Sequence, residues 1–236
     1  PRFIDAVQRD FETLGLTWDE GPYFQHNRDE AYQAAFDSLV ERGLVYPCFC
    51  TRADLHAASA PHHGEKLVYA GTCRALTAEQ RAEKAAVRKP AMRLVVPDET
   101  IAIDDLIQGH FEQNLAHDCG DFLIRRSDEA FAYQLAVVVD DGEQGVNSVV
   151  RGMDLLCSSP QQRYLQGLLG LPYAQYAHVP LVVGERDRRL SKRDHDAALD
   201  SLLERFKTPE ATLRASRAWL LRATPQLLKS CCRHST

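Results

Sequence analysis

The sequence predicts an α/β fold. Short apolar runs with strand character alternate with segments of helical period, which is the pattern of helices laid against a sheet. A Cys- and His-bearing stretch with weak periodicity interrupts that alternation. A basic, serine-bearing loop follows an apolar run late in the chain, where ligands of open α/β sheets bind.

Phe3, Val7, Phe11 and Leu14 share one helical face, and Gly15 is placed to end that helix. Pro1-Arg2 leads straight into it, with no preceding strand for the helix to pack upon. Gly21-Pro22 marks a turn. Asn27 reads as an N-cap with Glu30 three residues on, followed by the apolar stripe Tyr32, Phe36, Leu39 and Val40 and by Gly43 as the stop. Residues 45–73 turn to Pro, Cys, His and Gly, and so long a loop-rich stretch needs something other than an apolar core to hold it. Residues 92–96, 122–124 and 146–150 read as short strands, and 159–169 as a helix closed by Gly170. Residues 179–183 read as a strand ended by the polar turn 184–189, and Asp194 or Asp196 caps a helix running to Phe206. Residues 133–139 are apolar on every side, so periodicity leaves strand and buried helix both open. No internal repeat or low-complexity tract occurs.

The chain has 236 residues, of which 44% are hydrophobic, enough for a full core in one large domain or two modest ones. No apolar run reaches membrane-spanning length, and the first residues lack the basic and apolar segments of a secretory leader. These features read as a soluble, cytoplasmic protein. A net charge of -5 argues against general nucleic-acid packaging, although it leaves room for a local basic groove. Seven Cys is an odd count, and the close pairs Cys48/Cys50 and Cys231/Cys232 do not resemble a secreted disulfide framework.

Three constellations carry chemistry. Cys48, Cys50 and Cys73, with His56, His62, His63, Glu65 and Tyr69 between them, supply most of a four-ligand zinc site. Spacing alone favours His62 or His63 as the fourth ligand, because a phenol with a pKa of about 10 must first lose its proton. Three reduced thiols in a loop are the alternative. Arg188-Arg189-Leu190-Ser191-Lys192-Arg193 is placed to meet phosphate, or is a solvated turn. Arg151 comes directly off an apolar run before Gly152, so its guanidinium can emerge at a strand end and pair with a carboxylate, either a ligand's or a neighbouring Asp.

Taken together, Tyr46-Pro47-Cys48-Phe49-Cys50, Tyr69-Ala70-Gly71-Thr72-Cys73, Tyr133-Gln134-Leu135-Ala136-Val137-Val138-Val139-Asp140-Asp141, Val150-Arg151-Gly152, His178-Val179-Pro180-Leu181 and Leu190-Ser191-Lys192-Arg193 resemble the catalytic domains of glutamyl-tRNA synthetases. The resemblance is strongest to the shorter glutamyl-Q tRNA(Asp) synthetase branch and covers about residues 1–220 in the family's order. It implies a class I synthetase fold, a Rossmann-like parallel sheet with an inserted zinc-binding subdomain. Residues 1–44 would be the first half of the catalytic domain, 45–118 the zinc-binding and connective insertion, and 119–236 the second half, with a KMSKS-like loop at 189–193 and a helical tail.

The same resemblance implies roles. Lys192, with Ser191, would steady the phosphates of ATP, accompanied by Mg²⁺, while the amino-acid carboxylate attacks; charge stabilisation is what the lysine would supply. Tyr133 and Arg151 would bind L-glutamate, the arginine pairing with its side-chain carboxylate. By the resemblance, Cys48, Cys50, Tyr69 and Cys73 would hold one structural Zn²⁺ in place of a histidine-containing set, and zinc's lowering of a coordinated acid's pKa permits the phenol. The implied reaction is tRNA-independent activation of glutamate and its transfer to queuosine in the anticodon of tRNA(Asp), by a monomer. Lys66, Arg74, Arg188 and Arg193 are candidates for phosphate contacts.

Two features favour the shorter branch: the Cys-x-Cys, Tyr-x-x-x-Cys pattern, and the 44 residues that follow Lys192, too few for an anticodon-binding domain. The family's first signature, a HIGH-like segment, and the acidic residue after it are not found in the sequence. The expectation is of a chain truncated before Pro1, with impaired activation and an exposed sheet strand. Residues 227–236 carry none of the motifs on which this resemblance rests. An ordinary glutamyl-tRNA synthetase fragment and a non-catalytic RNA-binding remnant are the other readings.

Overall fold

The computed structural model describes residues 2–51, 53–54, 68–181 and 199–220. In chain order the elements are α1 (Arg2–Thr13), α2 (Asp29–Glu41), β1 (Val45–Cys48), α3 (Ala78–Val87), β2 (Ala91–Leu94), β3 (Thr100–Asp105), β4 (Gly109–Asn114), α4 (Leu115–Asp118), β5 (Phe122–Arg125), α5 (Tyr133–Glu143), β6 (Ser148–Gly152), α6 (Ser159–Leu169), β7 (Gln175–Val179), α7 (Leu199–Phe206) and α8 (Pro209–Leu220), with 3-10 turns at Gln25–Asn27 and Met153–Ser158. The described residues divide into two units, 2–24 with 179–181 and 199–220, and 25–178.

In the first unit, the predicted apolar face of α1 lines a shallow groove of about 410 Å³ with Trp18, Pro22 and Phe24. Gly15 ends the helix with a positive φ of 71°, and the Leu16 amide bonds back to the Phe11 carbonyl. Between α7 and α8 the Thr208 hydroxyl accepts the Ala211 amide, capping the last helix.

The second unit holds the main core. Tyr32, Phe36 and Leu39 of α2, Leu94 of β2, Phe122 and Ile124 of β5, Leu135, Ala136, Val138 and Val139 of α5, and Leu165 of α6 are all buried in one cluster. Each fully buried large side chain there contributes about 1.5–3 kcal/mol. The ambiguous run 133–139 is helical: at eleven residues α5 is long for a strand, and α2, β5 and α6 pack around it, which explains apolar residues on every side.

A three-stranded antiparallel sheet has the order β1-β2-β5, with Val45 opposite Leu94, Cys48 opposite Ala91 and Leu94 opposite Phe122. Pro47 is tolerated in β1 because that strand is an edge. β3 and β4 form an antiparallel hairpin. β6 and β7 pair with each other across the α6 connection. The Gln175 amide at the start of β7 bonds to the Asn147 carbonyl just before β6, and Arg151 meets His178 near the strands' far ends, so the two strands run parallel.

Two local expectations are corrected. The Asn27 capping box does not form: Gln25–Asn27 makes a 3-10 turn, Arg28 is the N-cap, and Asp29 and Glu30 face the helix dipole in the first turn. Arg28 instead reaches Asp140 at 2.5 Å and Glu143 at 2.6 Å on α5. Of the strand expected at 179–183, only Val179 is a strand residue, the last of β7; Pro180 has no N–H for a ladder, and residues 182–183 lie outside the described residues. Gly170 closes α6 in the left-handed conformation, as the sequence indicates. Among the described residues no helix is long and apolar enough to cross a membrane.

Candidate active site and cysteine cluster

β1 delivers Cys48 at its buried end, and the chain runs on through Phe49 to Cys50. The chain returns at Tyr69, which forms a parallel bridge to Gly120 and then turns through Gly71 to Cys73. The three Sγ atoms lie within 4.8 Å of one another, Cys50 and Cys73 at 3.5 Å. The Tyr69 hydroxyl lies 3.5 Å from the Cys48 Sγ and accepts the Cys73 amide at 2.8 Å. These thiols are free.

The donor set fits a soft divalent cation. With metal–sulfur bonds of about 2.3 Å, the edge of a tetrahedron is about 3.8 Å, close to the spacing found here. Burial, the Cys73 thiol and Cys48 push Cys50 up to about 12, while the Tyr69 hydroxyl and Arg93 outweigh burial and hold Cys48 below the ordinary thiol value. Burial and the Cys48 contact push the Tyr69 phenol well above its ordinary value, so without a cation it stays protonated. His56, His62, His63, Glu65 and Lys66 lie outside the described residues.

Beneath the cluster sits a buried polar hub. Arg93 places its guanidinium 3.7 Å above the Tyr69 ring and donates to the Asp121 carbonyl. The Asp121 carboxylate accepts the Tyr46 hydroxyl at 2.6 Å and the Val96 amide at 2.8 Å, with Arg74 at 3.8 Å. Neither Arg93 nor Asp121 stands in a motif, so sequence reasoning missed both.

Tyr69, Arg93 and Asp121 also line a cavity of about 350 Å³ with Tyr133, Gln134 and Gln161. Tyr133 opens α5 and is half-exposed there, free to offer its hydroxyl, while Gln134 and Gln161 are hydrogen-bonded to each other. Arg151 is not among that cavity's described lining. It stands at the end of β6, donating from Nε to His178 Nε2 at 2.9 Å and from Nη2 to Ser159 Oγ at 2.8 Å, with its charge 5.0 Å from the Tyr176 ring centroid. Those bonds leave Nη1 as the part of the fork they do not use.

His178 Nδ1 lies 2.6 Å from Asp105 Oδ2, and Ser159 Oγ lies 3.3 Å from His178 Nε2. The three resemble a nucleophile relay, but Ser159 is fully buried and accepts the Arg151 proton, so no substrate reaches it. The sequence signal for His178 was its place before Val179-Pro180-Leu181; Asp105, 73 residues away, had none. Ser191, Lys192, Arg188 and Arg193 lie outside the described residues.

The second unit thus joins a parallel strand pair with an arginine at the strand end to a cluster of three free thiols beside a cavity, the features of an α/β ligand-binding domain. The family of class I tRNA synthetases (E and Q), catalytic domain, matches residues 1–235, and the chain belongs to it. A glutamyl-Q tRNA(Asp) synthetase from Thiobacillus denitrificans is 48% identical over 200 residues, 84% of this chain and 64% of that protein. One from Nitratidesulfovibrio vulgaris is 43% identical over 241 residues, 97% of this chain and 74% of that protein. The chain thus spans about two thirds of the length of these relatives. A glutamate tRNA ligase from Elizabethkingia meningosepticum, solved with its amino acid, superposes with a TM-score of 0.67 at 24% identity, covering 83% of this chain and 43% of that one, a likeness of fold.

Proposed function

We propose that the chain carries the catalytic core of an ATP-dependent enzyme that activates L-glutamate to glutamyl-adenylate without tRNA and transfers the glutamyl group to queuosine in the anticodon of tRNA(Asp). The observation that carries this reading is the likeness, over nearly the whole chain, to relatives named glutamyl-Q tRNA(Asp) synthetase. Arg151 supports it: a cation fixed by Nε and Nη2 presents its remaining edge as a planar donor for the substrate's side-chain carboxylate. Tyr133 would donate its hydroxyl to the same substrate, and Lys192 with Ser191 would stabilise charge on the ATP phosphates beside Mg²⁺.

Cys48, Cys50, Cys73 and Tyr69 would hold Zn²⁺, which would supply the folding energy of the insertion rather than chemistry on the substrate. The division into 1–44, 45–118 and 119–236, a monomeric state and a cytoplasmic setting belong to the same reading.

The test is incubation with ATP, Mg²⁺ and radiolabelled L-glutamate in the presence of tRNA(Asp) with and without queuosine. Label that enters only the queuosine-bearing tRNA, at a position lost on anticodon-loop cleavage, is the expected result. Label at the 3′ end of tRNA(Glu), independent of queuosine, would replace this reading with that of an ordinary glutamyl-tRNA synthetase. Absence of any transfer, with RNA bound, would favour a non-catalytic RNA-binding protein.

A further inference from the structure

We propose that the buried Asp105–His178 pair is a positioning device that holds Arg151 in its ligand-receiving orientation through a neutral imidazole of fixed tautomer. The inference deepens the glutamate reading above and rests on it. An arginine Nε carries a proton and can only donate, so His178 Nε2 must accept. The ring's single proton therefore sits on Nδ1, where it is given to Asp105 Oδ2 at 2.6 Å. Asp105 is itself pinned by the backbone amides of Ile107 at 3.0 Å, Gln108 at 2.8 Å and His178 at 3.1 Å. The carboxylate thus lies in a nest of donors on the β3–β4 turn and orients the ring on β7, which in turn orients the guanidinium on β6. Stacking of Tyr176 on the imidazole, with centroids 5.9 Å apart, fixes the ring plane.

The relay works in one protonation state only. A proton on Nε2 would face the Arg151 Nε–H donor to donor and add a second cation beside the guanidinium. Burial and the Arg151 charge hold His178 below the ordinary histidine value, against the opposing pull of Asp105 and Asp154. Asp105 is held below the ordinary carboxylate value, where the amide and imidazole donors outweigh burial. Asp141 on α5 also faces Arg151, with its own acid raised by burial. At neutral pH the acceptor state is full. As pH falls through the depressed pKa of His178, the Arg151 bond is lost and glutamate affinity falls with it.

The test combines two variants with a measurement that needs neither. Asn at 178 can keep the Asp105 contact from its amide nitrogen but reaches no acceptor to Arg151, whereas Gln can supply a non-titrating acceptor near the Nε2 position. Calorimetric binding of L-glutamate, from pH 8 down to the lowest pH at which the protein stays folded, should show His178→Asn weaker by about ten-fold at neutral pH, the loss of one charge-assisted bond. His178→Gln, which restores an acceptor but not the Asp105 contact, should recover part of the affinity lost in His178→Asn at neutral pH and lack the parent's acid limb, keeping only the fall due to the substrate's own carboxylate. Nitrogen-15 spectra of the parent should show the Nδ1–H tautomer at pH 7.

Parent-like affinity in His178→Asn, a parent-like acid limb in His178→Gln, or an Nε2–H or cationic ring in the parent at pH 7 would overturn the proposal while leaving the glutamate reading intact. Failure of the parent to bind L-glutamate at any pH would overturn that reading, and the proposal with it. Should the Asn variant not fold, the tautomer and the Gln profile decide.

Discussion

Asp121→Ala removes the acceptor at the centre of the hub beneath the cysteine cluster. Two buried donors lose their partner: the Tyr46 hydroxyl, at 2.6 Å, and the Val96 amide, at 2.8 Å. Burial and the Asp121 carboxylate push the Tyr46 phenol well above its ordinary value, so it is a permanent donor with no ionised form to retreat to. A hydrogen bond to a charged group is worth about 1.5–3 kcal/mol, so the two together are worth about 3–6 kcal/mol. The Arg74 contact adds little, since it is 3.8 Å long and its side chain is 53% exposed. For a chain of this size each kcal/mol moves Tm by about 2–4 °C, so the variant should melt about 6–24 °C below the parent. Asp121→Asn keeps one oxygen acceptor and should lose about half as much. Thermal melts followed by circular dichroism read this directly. A fall of less than about 3 °C for the Ala variant would refute the hub as a stabilising element.

Two further outcomes test the neighbouring cluster. Because Cys50 is pushed up to about 12 by burial and its two thiol neighbours, it is protonated at neutral pH without metal, and Zn²⁺ must displace that proton. Titration of metal-free protein with Zn²⁺ at pH 7.5, in buffers of different ionisation enthalpy, should show at least one proton released, and affinity that rises with pH; zero release would remove Cys50 from the ligand set. Gly120→Ala should destabilise strongly, since the residue has a φ of +68° and a Cβ would stand 2.5 Å from the Tyr69 carbonyl oxygen and 2.9 Å from its amide nitrogen. The left-handed conformation alone costs about 1–2 kcal/mol and the backbone clash adds to it, so Tm and retained zinc should both fall; a melt within about 2 °C of the parent would show that the bridge yields without cost.

What was legible in the sequence was local. The stop at Gly170 and the left-handed Gly15 and Gly43 needed only a helical stripe and a residue that tolerates positive φ. Cys48, Cys50 and Cys73 could be grouped because their spacing is short, and the chain folds them to within 4.8 Å of one another. The failures have a common physical cause, which is that tertiary partners decide them. Arg28 takes the cap position from Asn27 because its side chain finds Asp140 and Glu143, more than a hundred residues on. Residues 133–139 look the same as strand or helix until α2, β5 and α6 surround them. The β3–β4 hairpin carries too little apolar alternation to stand out, yet it brings Asp105 to His178 across 73 residues. Burial of Arg93 and Asp121 contradicts their polarity, and only their mutual contacts make it tolerable.

The cysteine cluster and the candidate ligand cavity are parts of one structure rather than neighbours by chance. Tyr69 is the shared piece. Its hydroxyl lies against Cys48 and the Cys73 amide, its ring is covered by Arg93, its backbone bridges Gly120, and the same residue lines the cavity with Tyr133, Gln134 and Gln161. A cation drawn to the three thiols fixes the turn 69–73 and thereby one wall of that cavity. Arg93 reads both sides: its charge lowers the Cys48 thiol and its hydrogen bond holds the Asp121 backbone immediately before β5, the strand that leads to α5 and Tyr133. Loss of the cluster should therefore be felt at Tyr133 through displaced packing, with the Asp105–His178–Arg151 relay, whose three members lie on β3, β7 and β6, keeping its own hydrogen bonds. That separation makes the two halves of the site independently testable: metal removal perturbs the cavity wall, and titration of His178 perturbs the arginine.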